Sequence, residues 1–160
     1  MRKFLNLLSF SFLLFVISFS TSAQACYGAR EFEAEQGIRI HSELMVIGLT
    51  CIKMPEGQAL YDKYQQFTQK NADLIAGYET DLISYYSKEG IEDPEKKLHT
   101  LRTNLANEIS GKAIAMSTLS FCEKYSSHID QALAMDRPKL RRWAQHVWPD
   151  QPVSETMCSL

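Results

Sequence analysis

Residues 56–88 read EGQALYDKYQQFTQKNADLIAGYETDLISYYSK and carry the strongest helical pattern of the chain. Large side chains recur in this segment at steps of three or four residues, which is the spacing of one helical face. The members of the stripe are Leu60, Tyr64, Phe67, Asn71, Leu74, Tyr78, Leu82 and Tyr85. The stripe predicts a helix over 56–88, and Asn71 or Gly77 marks the point at which it would divide into two.

Prolines separate this segment from two further helical patterns. Before Pro55, apolar residues recur among charges and predict a helix over about 29–53. Asp93 and Pro94 form a helix start, with Asp93 as the N-cap and Pro94 at the first helical position. The apolar stripe that follows predicts a helix over about 94–130 and consists of Leu98, Leu101, Leu105, Ile109, Ala113, Met116 and Leu119.

These patterns predict an all-α fold. No segment alternates with the period of two that a half-buried strand would show. The expected architecture is an up-down bundle of three long helices with a short C-terminal helix over about 138–147. Residues 26–160 would form one domain, because 160 residues leave no room for a second one, and the tail after about 149 is expected to be poorly structured.

The first 25 residues have the composition of a cleaved signal peptide. Arg2 and Lys3 precede an apolar run, and Ala23-Gln24-Ala25 fits the small residues that signal peptidase prefers. The run is about 16 residues or about 24 Å as a helix, whereas a membrane span needs about 30 Å. We therefore expect export to the periplasm or the medium. Lipid attachment at Cys26 is the less favoured alternative, because the preceding residues fit a lipoprotein signal poorly.

Four cysteines follow this segment. An even number of cysteines in an exported chain indicates disulfides, and their spacings contain no C-x-x-C motif of a redox or zinc site. In the expected bundle Cys51 and Cys122 arrive at the same end, which predicts a bridge between them. By elimination Cys26 would pair with Cys158 if the tail returns along the bundle.

The charge balance excludes some functions. Without Arg2 and Lys3 the chain has 15 basic and 19 acidic residues, so it has no basic excess with which to follow a nucleic-acid backbone. There is no G-x-S-x-G nucleophile motif and no glycine-rich phosphate loop. The chain is therefore not expected to be an enzyme or to bind nucleic acid. The alternating Glu31, Glu33 and Glu35 are interpreted as a solvated helix start.

Two polar features are candidate functional sites. One is a cluster of polar residues close to the apolar stripes, expected to fix helix register or to line a pocket. Its members are Arg39, His41, Glu43, Asn71, Arg102, Asn107 and Glu108. The other is the C-terminal segment 137–148, whose basic and aromatic residues would contact a partner or an anionic membrane surface, or would cap the bundle. Its candidate contacts are Arg137, Lys139, Arg141, Arg142, Trp143 and Trp148.

Taken together, the sequence favours an exported, non-catalytic helical protein that binds a protein partner or an envelope component. The alternative is a bundle that binds a small ligand or haem. For haem, Met45 or Met54 with His128 would be the axial ligands. No cofactor or metal is assigned from the sequence, because no Glu-x-x-His pair or comparable ligand spacing occurs.

Overall fold

A computed structural model describes residues 26–148 and 150–159 of the chain. The predicted signal segment 1–25 lies outside them. The described residues form seven α-helices and no strand apart from one isolated bridge. The helices are α1 (Ala29–Cys51), α2 (Gly57–Lys70), α3 (Ala72–Lys88), α4 (Pro94–Met116), α5 (Thr118–Tyr125), α6 (Ser127–Ala134) and α7 (Arg137–Ala144).

Helix α1 lies at the centre of the fold and contacts all six other helices. Every residue from 32 to 42 is buried, including charged and polar ones. A surface helix buries one stripe only, and a helix covered on all sides is a core element. The consequence is that the polar side chains of α1 must find partners inside the protein.

The 56–88 pattern divides at Asn71, the first of the two break points that the sequence indicates. The Asn71 side chain donates to the carbonyl of Phe67 at 2.9 Å, and the backbone there leaves the helical region. The apolar face nevertheless continues across the break: Phe67 is buried on one side of it and Tyr78 and Leu82 on the other.

The predicted helix over 94–130 is wrong beyond Met116. Ser117 has a φ of 77°, which ends α4, and its hydroxyl accepts from the backbone N–H of Ser120 at 3.4 Å to start α5. The buried face shifts at this turn, so that Phe121 and Cys122 are buried while Leu119 is 54% exposed. The helical class of the fold is confirmed, whereas the division into three long helices is not.

The final helix agrees closely with the 138–147 prediction. Helix α7 begins after Asp136, whose carboxylate accepts from the backbone N–H of Lys139 at 2.8 Å. Pro138 lies in the first turn, where its missing N–H costs nothing. The helix ends at Ala144, which leaves Val147 and Trp148 outside it.

Two disulfides join distant parts of the chain, in the pairing that the sequence predicts. Cys51 at the end of α1 is bonded to Cys122 in α5, and Cys26 is bonded to Cys158. The Cys26–Cys158 disulfide excludes a lipid thioether at Cys26, because the disulfide and the thioether would use the same sulfur atom. Two disulfides are typical of an oxidising compartment outside the cytosol.

Residues 150–158, which we call the strap, run along α1 without forming a helix. The strap is tied to the start of the fold by a short parallel bridge, in which Tyr27 donates to Thr156 at 2.8 Å and Cys158 donates to Tyr27 at 2.9 Å. The strap is therefore attached to the start of the fold although it forms no helix.

Candidate functional site

A cavity of about 370 Å³ lies between α1, α4, α5, α6, α7 and the strap. Both tryptophans of the chain, Trp143 and Trp148, line it. We call it the Trp cavity. Its volume is within the range of about 300–1,000 Å³ that ligand sites occupy. The rest of its apolar wall consists of Ile40, Ile109, Phe121, Tyr125 and Met135.

Arg39 is the most deeply buried charged residue in the wall of the Trp cavity, with 5% of its surface exposed. One terminal nitrogen donates to both carboxylate oxygens of Glu108 at 2.9 Å, and the other donates to the carbonyl of Pro152 at 3.0 Å. Its Nε is buried and has no acceptor among the described residues. A buried donor without an acceptor costs about 1–3 kcal/mol.

The remaining ionisable groups of the Trp cavity come from four elements. Lys112 lies 3.9 Å from Glu108, the carboxylate that Arg39 also contacts. Glu43 is paired with His128 at 2.8 Å, and Asp150 of the strap is exposed. The cavity therefore combines an apolar aromatic wall with a few polar groups that converge on it, which is the usual composition of a ligand site.

The strap forms one side of this cavity and is held by polar residues of α1. The Gln36 side chain donates to the carbonyl of Gln151 at 2.9 Å. Glu35 accepts from the backbone N–H and the hydroxyl of Ser154 at 2.7 and 2.5 Å. Together with the Arg39 bond to Pro152, these bonds explain why three of the buried polar residues of α1, Glu35, Gln36 and Arg39, are tolerated, since each has a partner on the strap.

One basic residue of the C-terminal segment, Arg141, is paired with a buried carboxylate. Glu33 of α1 accepts from Arg141 at 2.5 and 3.0 Å and from Gln145 at 2.5 Å. The hydroxyl of Tyr78 donates to the same carboxylate at 3.0 Å. Burial raises the pKa of Glu33, but these donors outweigh it and hold the pKa below its usual value. Arg141 therefore serves to anchor α7 on α1.

The other basic residues of this segment differ in their environment. Arg137 forms a two-oxygen ion pair with Asp73 of α3 at 2.6 and 2.7 Å. Lys139 and Arg142 are exposed on α7. Trp143 packs against the core, and Trp148 is 37% exposed at the edge of the Trp cavity. Five of the six predicted contact residues are therefore exposed, and Trp143 is the one that is partly buried.

The interpretation of Glu33 and Glu35 as a solvated helix start is wrong. Glu33 is 5% exposed and Glu35 is fully buried. Their partners, Arg141 and Ser154, come from more than a hundred residues further along the chain. The available signal was the composition of α1, whose apolar residues are spread around the helix instead of forming one stripe.

The structure does not gather the predicted polar cluster into one site. It brings Arg39 to Glu108, but Glu43 pairs with His128. Arg102 forms an ion pair with Glu79 at 2.5 Å. The remaining members lie apart from these pairs: Asn71 bonds within its own helix region, Asn107 is exposed, and His41 faces α2. Arg39 and Glu43 instead meet the predicted aromatic contacts Trp143 and Trp148 at the Trp cavity.

His41 is buried against α2. Its Nε2 lies 3.2 Å from the hydroxyl of Thr68 and 3.5 Å from that of Tyr64. Burial, followed by the positive charge of Arg102, lowers the pKa of His41 to about 4. The imidazole is therefore neutral in the folded protein at neutral pH.

This shift makes the stability of the protein depend on pH. In the unfolded chain His41 takes up a proton near pH 6.5, whereas the folded protein resists it down to about pH 4. We expect the contribution to be complete above pH 6.5 and to be lost as the pH falls to 4, by up to about 3 kcal/mol. Denaturant unfolding across this range tests it. His41→Phe should flatten the dependence, and an equally steep fall in the variant would contradict the assignment.

The predicted haem ligands line three different cavities. His128 lines the Trp cavity, Met54 lines a cavity beside the Cys51–Cys122 disulfide, and Met45 lines a shallow groove on α4. Among the described residues, no group of three or more His, Cys, Asp or Glu side chains is placed to hold a metal ion.

The helices of the described part of the chain include none with the length and apolar composition of a membrane span.

Comparison of the chain with protein-family models, curated proteins and solved structures finds no match. The fold alone does not indicate function, because helical folds of this kind host many activities. The Trp cavity is therefore the feature of this fold that bears on function.

Proposed function

We propose that the protein is an exported, non-catalytic binding protein that holds a small molecule in the Trp cavity. The observation that carries the proposal is the cavity itself, which has a volume of about 370 Å³ and combines an apolar wall containing both tryptophans with a few polar groups. A bound ligand would cover Trp143 and the other apolar side chains of this wall.

The export part of the proposal has two supports. The apolar run and the Ala23-Gln24-Ala25 sequence are those of a signal peptide. The disulfides Cys26–Cys158 and Cys51–Cys122 fit the periplasm or the medium, where thiols are oxidised. The mature protein would then begin at Cys26, next to the residues that attach the strap.

The hypothesis of a protein partner or an envelope surface has weaker support. It depended on the basic segment, and Arg137 and Arg141 are engaged in ion pairs with Asp73 and Glu33. All four basic residues of α7 are exposed, and Lys139 and Arg142 are the two that lie outside these ion pairs. We rank this second to the cavity, because exposed charges of this number are ordinary on a protein surface.

Fluorescence offers a direct test of the proposed function, since both tryptophans line the Trp cavity. We expect small aromatic compounds, screened singly against the disulfide-bonded protein, to shift or quench the tryptophan emission in a saturable way. Gln131, an exposed residue of α6, lies in the cavity wall. Gln131→Phe should narrow the cavity and weaken the binding of any such compound by about tenfold or more, the equivalent of about 1.4 kcal/mol.

Gln66→Phe is the matched control, because Gln66 is an exposed glutamine in the middle of α2. It should leave binding unchanged, with the same unfolding temperature as Gln131→Phe. The proposed function fails if no compound binds, or if Gln131→Phe and Gln66→Phe affect binding equally.

A further inference from the structure

The two disulfides differ in their exposure to solvent. Cys51 and Cys122 are 1% and 5% exposed and belong to the hydrophobic core between α1 and α5. Cys158 is exposed and Cys26 is partly buried, and their bond joins the segment before α1 to the strap. Thiol–disulfide exchange requires a thiolate to reach a sulfur atom, so access decides which bond reacts. A reductant in solution therefore reaches the Cys26–Cys158 bond in the folded protein, whereas the other bond reacts only when the core opens.

The Cys26–Cys158 bond secures a segment that forms part of the wall of the Trp cavity. Asp150 and Gln151 of the strap line the cavity together with Trp143. None of the strap residues 150–158 is buried, so detachment of the strap exposes little apolar surface of its own. Segments with few buried contacts open locally at a lower free energy than the whole fold. The strap is therefore the part of the cavity wall that opens most readily once its covalent tie is removed.

We propose that the Cys26–Cys158 disulfide is a redox latch, which holds the strap when oxidised and frees it to open the Trp cavity when a dithiol reduces it. A thiolate of the dithiol attacks the sulfur of the exposed Cys158, and Cys26 leaves as a thiolate that takes up a proton. The second thiol of the reductant then displaces Cys158 and closes a disulfide within the reductant. Two electrons and two protons pass from the dithiol to the protein, and the buried Cys51–Cys122 bond stays oxidised.

After reduction, hydrogen bonds and the packing of Val153 hold the strap. The bonds include two with the backbone of Tyr27 and one from Arg39 to the carbonyl of Pro152. Each contributes little to stability in net terms, because water replaces the partner when the strap detaches. The strap then opens more often than the helices beneath it, and solvent molecules reach the side chain of Trp143. The latch needs no bound ligand, so it goes beyond the proposed function.

Limited reduction of the folded protein tests the selectivity of the latch. The oxidised protein is incubated with dithiothreitol at neutral pH, thiols are alkylated at intervals, and peptide mapping follows each cysteine. We expect Cys26 and Cys158 to be alkylated at least about tenfold faster than Cys51 and Cys122. In concentrated guanidinium chloride, where neither bond is buried, the two rates should become similar. Equal rates in the folded protein would overturn the proposal.

Quenching of Trp143 tests whether reduction opens the Trp cavity. In a Trp148→Phe background the tryptophan emission comes from Trp143 alone, because the chain has two tryptophans. Acrylamide, an uncharged quencher, should quench this emission about twofold more strongly after reduction, while the helical circular dichroism is kept. Adding Cys26→Ser and Cys158→Ser to this background should give the stronger quenching without dithiothreitol and no further response to it.

The matched control adds Cys51→Ser and Cys122→Ser to the same background, and it should keep the weak quenching of the oxidised protein. If Cys26–Cys158 is reduced selectively but the quenching of Trp143 does not change, the disulfide does not act as a latch and the proposal fails. It also fails if helical circular dichroism is lost with the bond, because reduction then unfolds the protein instead of freeing the strap. Neither result bears on ligand binding, which the Gln131→Phe comparison tests on the oxidised protein.

Discussion

Replacing the Cys26–Cys158 disulfide by two serines should lower the free energy of unfolding by up to about 5 kcal/mol. The estimate follows from loop closure, because this bond closes a loop of 132 residues and its loss gives the unfolded chain more freedom. A domain of this size has about 5–15 kcal/mol in total. Denaturant unfolding of the Cys26→Ser, Cys158→Ser variant measures the change.

Loss of the Cys26–Cys158 disulfide should also weaken the attachment of the strap. Ser154 provides hydrogen bonds to the fully buried carboxylate of Glu35, and Pro152 provides one to Arg39. Without the disulfide, residues 150–158 are held by these bonds, by the backbone bridge to Tyr27 and by the bond from Gln36 to Gln151. Opening the strap then leaves Glu35 without its partners. We expect the amides of Ser154 and Cys158 to exchange with solvent faster in the variant, and the emission of Trp148 to change with them.

The second disulfide serves as the control. Cys51→Ser with Cys122→Ser opens a loop of 71 residues and should cost up to about 4 kcal/mol. It should lower the free energy of global unfolding and speed amide exchange locally in α1 and α5. The strap amides should stay protected from exchange with solvent at low denaturant. If the two double variants speed exchange in the strap equally, the Cys26–Cys158 bond is not what secures it.

The part of the core that comes from residues 56–88 could be predicted, because it depends only on the spacing of large apolar residues along the chain. The 56–88 stripe buries Tyr64, Phe67, Tyr78 and Leu82 even though the helix divides at Asn71. The disulfide pairing followed for a related reason: it needed only the approximate positions of the cysteines along the helices. Both predictions tolerate errors of a few residues in the helix ends.

The break at Ser117 could not be predicted in the same way. A positive φ is unusual at a residue other than glycine, and no glycine or proline marks this position. Phe121 and Cys122, just beyond it, are buried against α1 as a result of the turn. Long-range packing decided this conformation, and such contacts are not encoded in a local pattern.

The Trp cavity could not be predicted from the sequence for a different reason. Its wall is assembled from five helices and the strap, so that Arg39 and Trp143, assigned to separate features in the sequence, become neighbours of one cavity. Glu33 and Glu35 looked solvated because their partners are distant in sequence. A single sequence shows which groups need partners, but not which distant residue supplies them.

Gly37→Ala should destabilise the protein by about 2–4 kcal/mol, although alanine is the better helix former by about 1 kcal/mol. Gly37 lies inside α1, and a Cβ atom there would overlap the ring of Tyr78 on α3. Tyr78 is buried and its hydroxyl donates to Glu33, so the ring cannot move without losing this bond. Overpacking costs about 1–3 kcal/mol, and an unmade bond to a buried group costs about 1–3 kcal/mol more.

Gly77→Ala is the matched control, because it makes the same substitution on the exposed side of α3. A Cβ atom at Gly77 would have no neighbouring atom within 4 Å. The substitution should stabilise the protein by about 0.5–1 kcal/mol. Denaturant unfolding of both variants shows whether the free energy of unfolding falls for Gly37→Ala and rises for Gly77→Ala. A double-mutant cycle then identifies the cause. In a Tyr78→Ala background the added methyl group at residue 37 has room, so Gly37→Ala should become neutral or stabilising. If it destabilises that background as strongly as the wild type, the close approach of α1 to Tyr78 is not what requires glycine at this position.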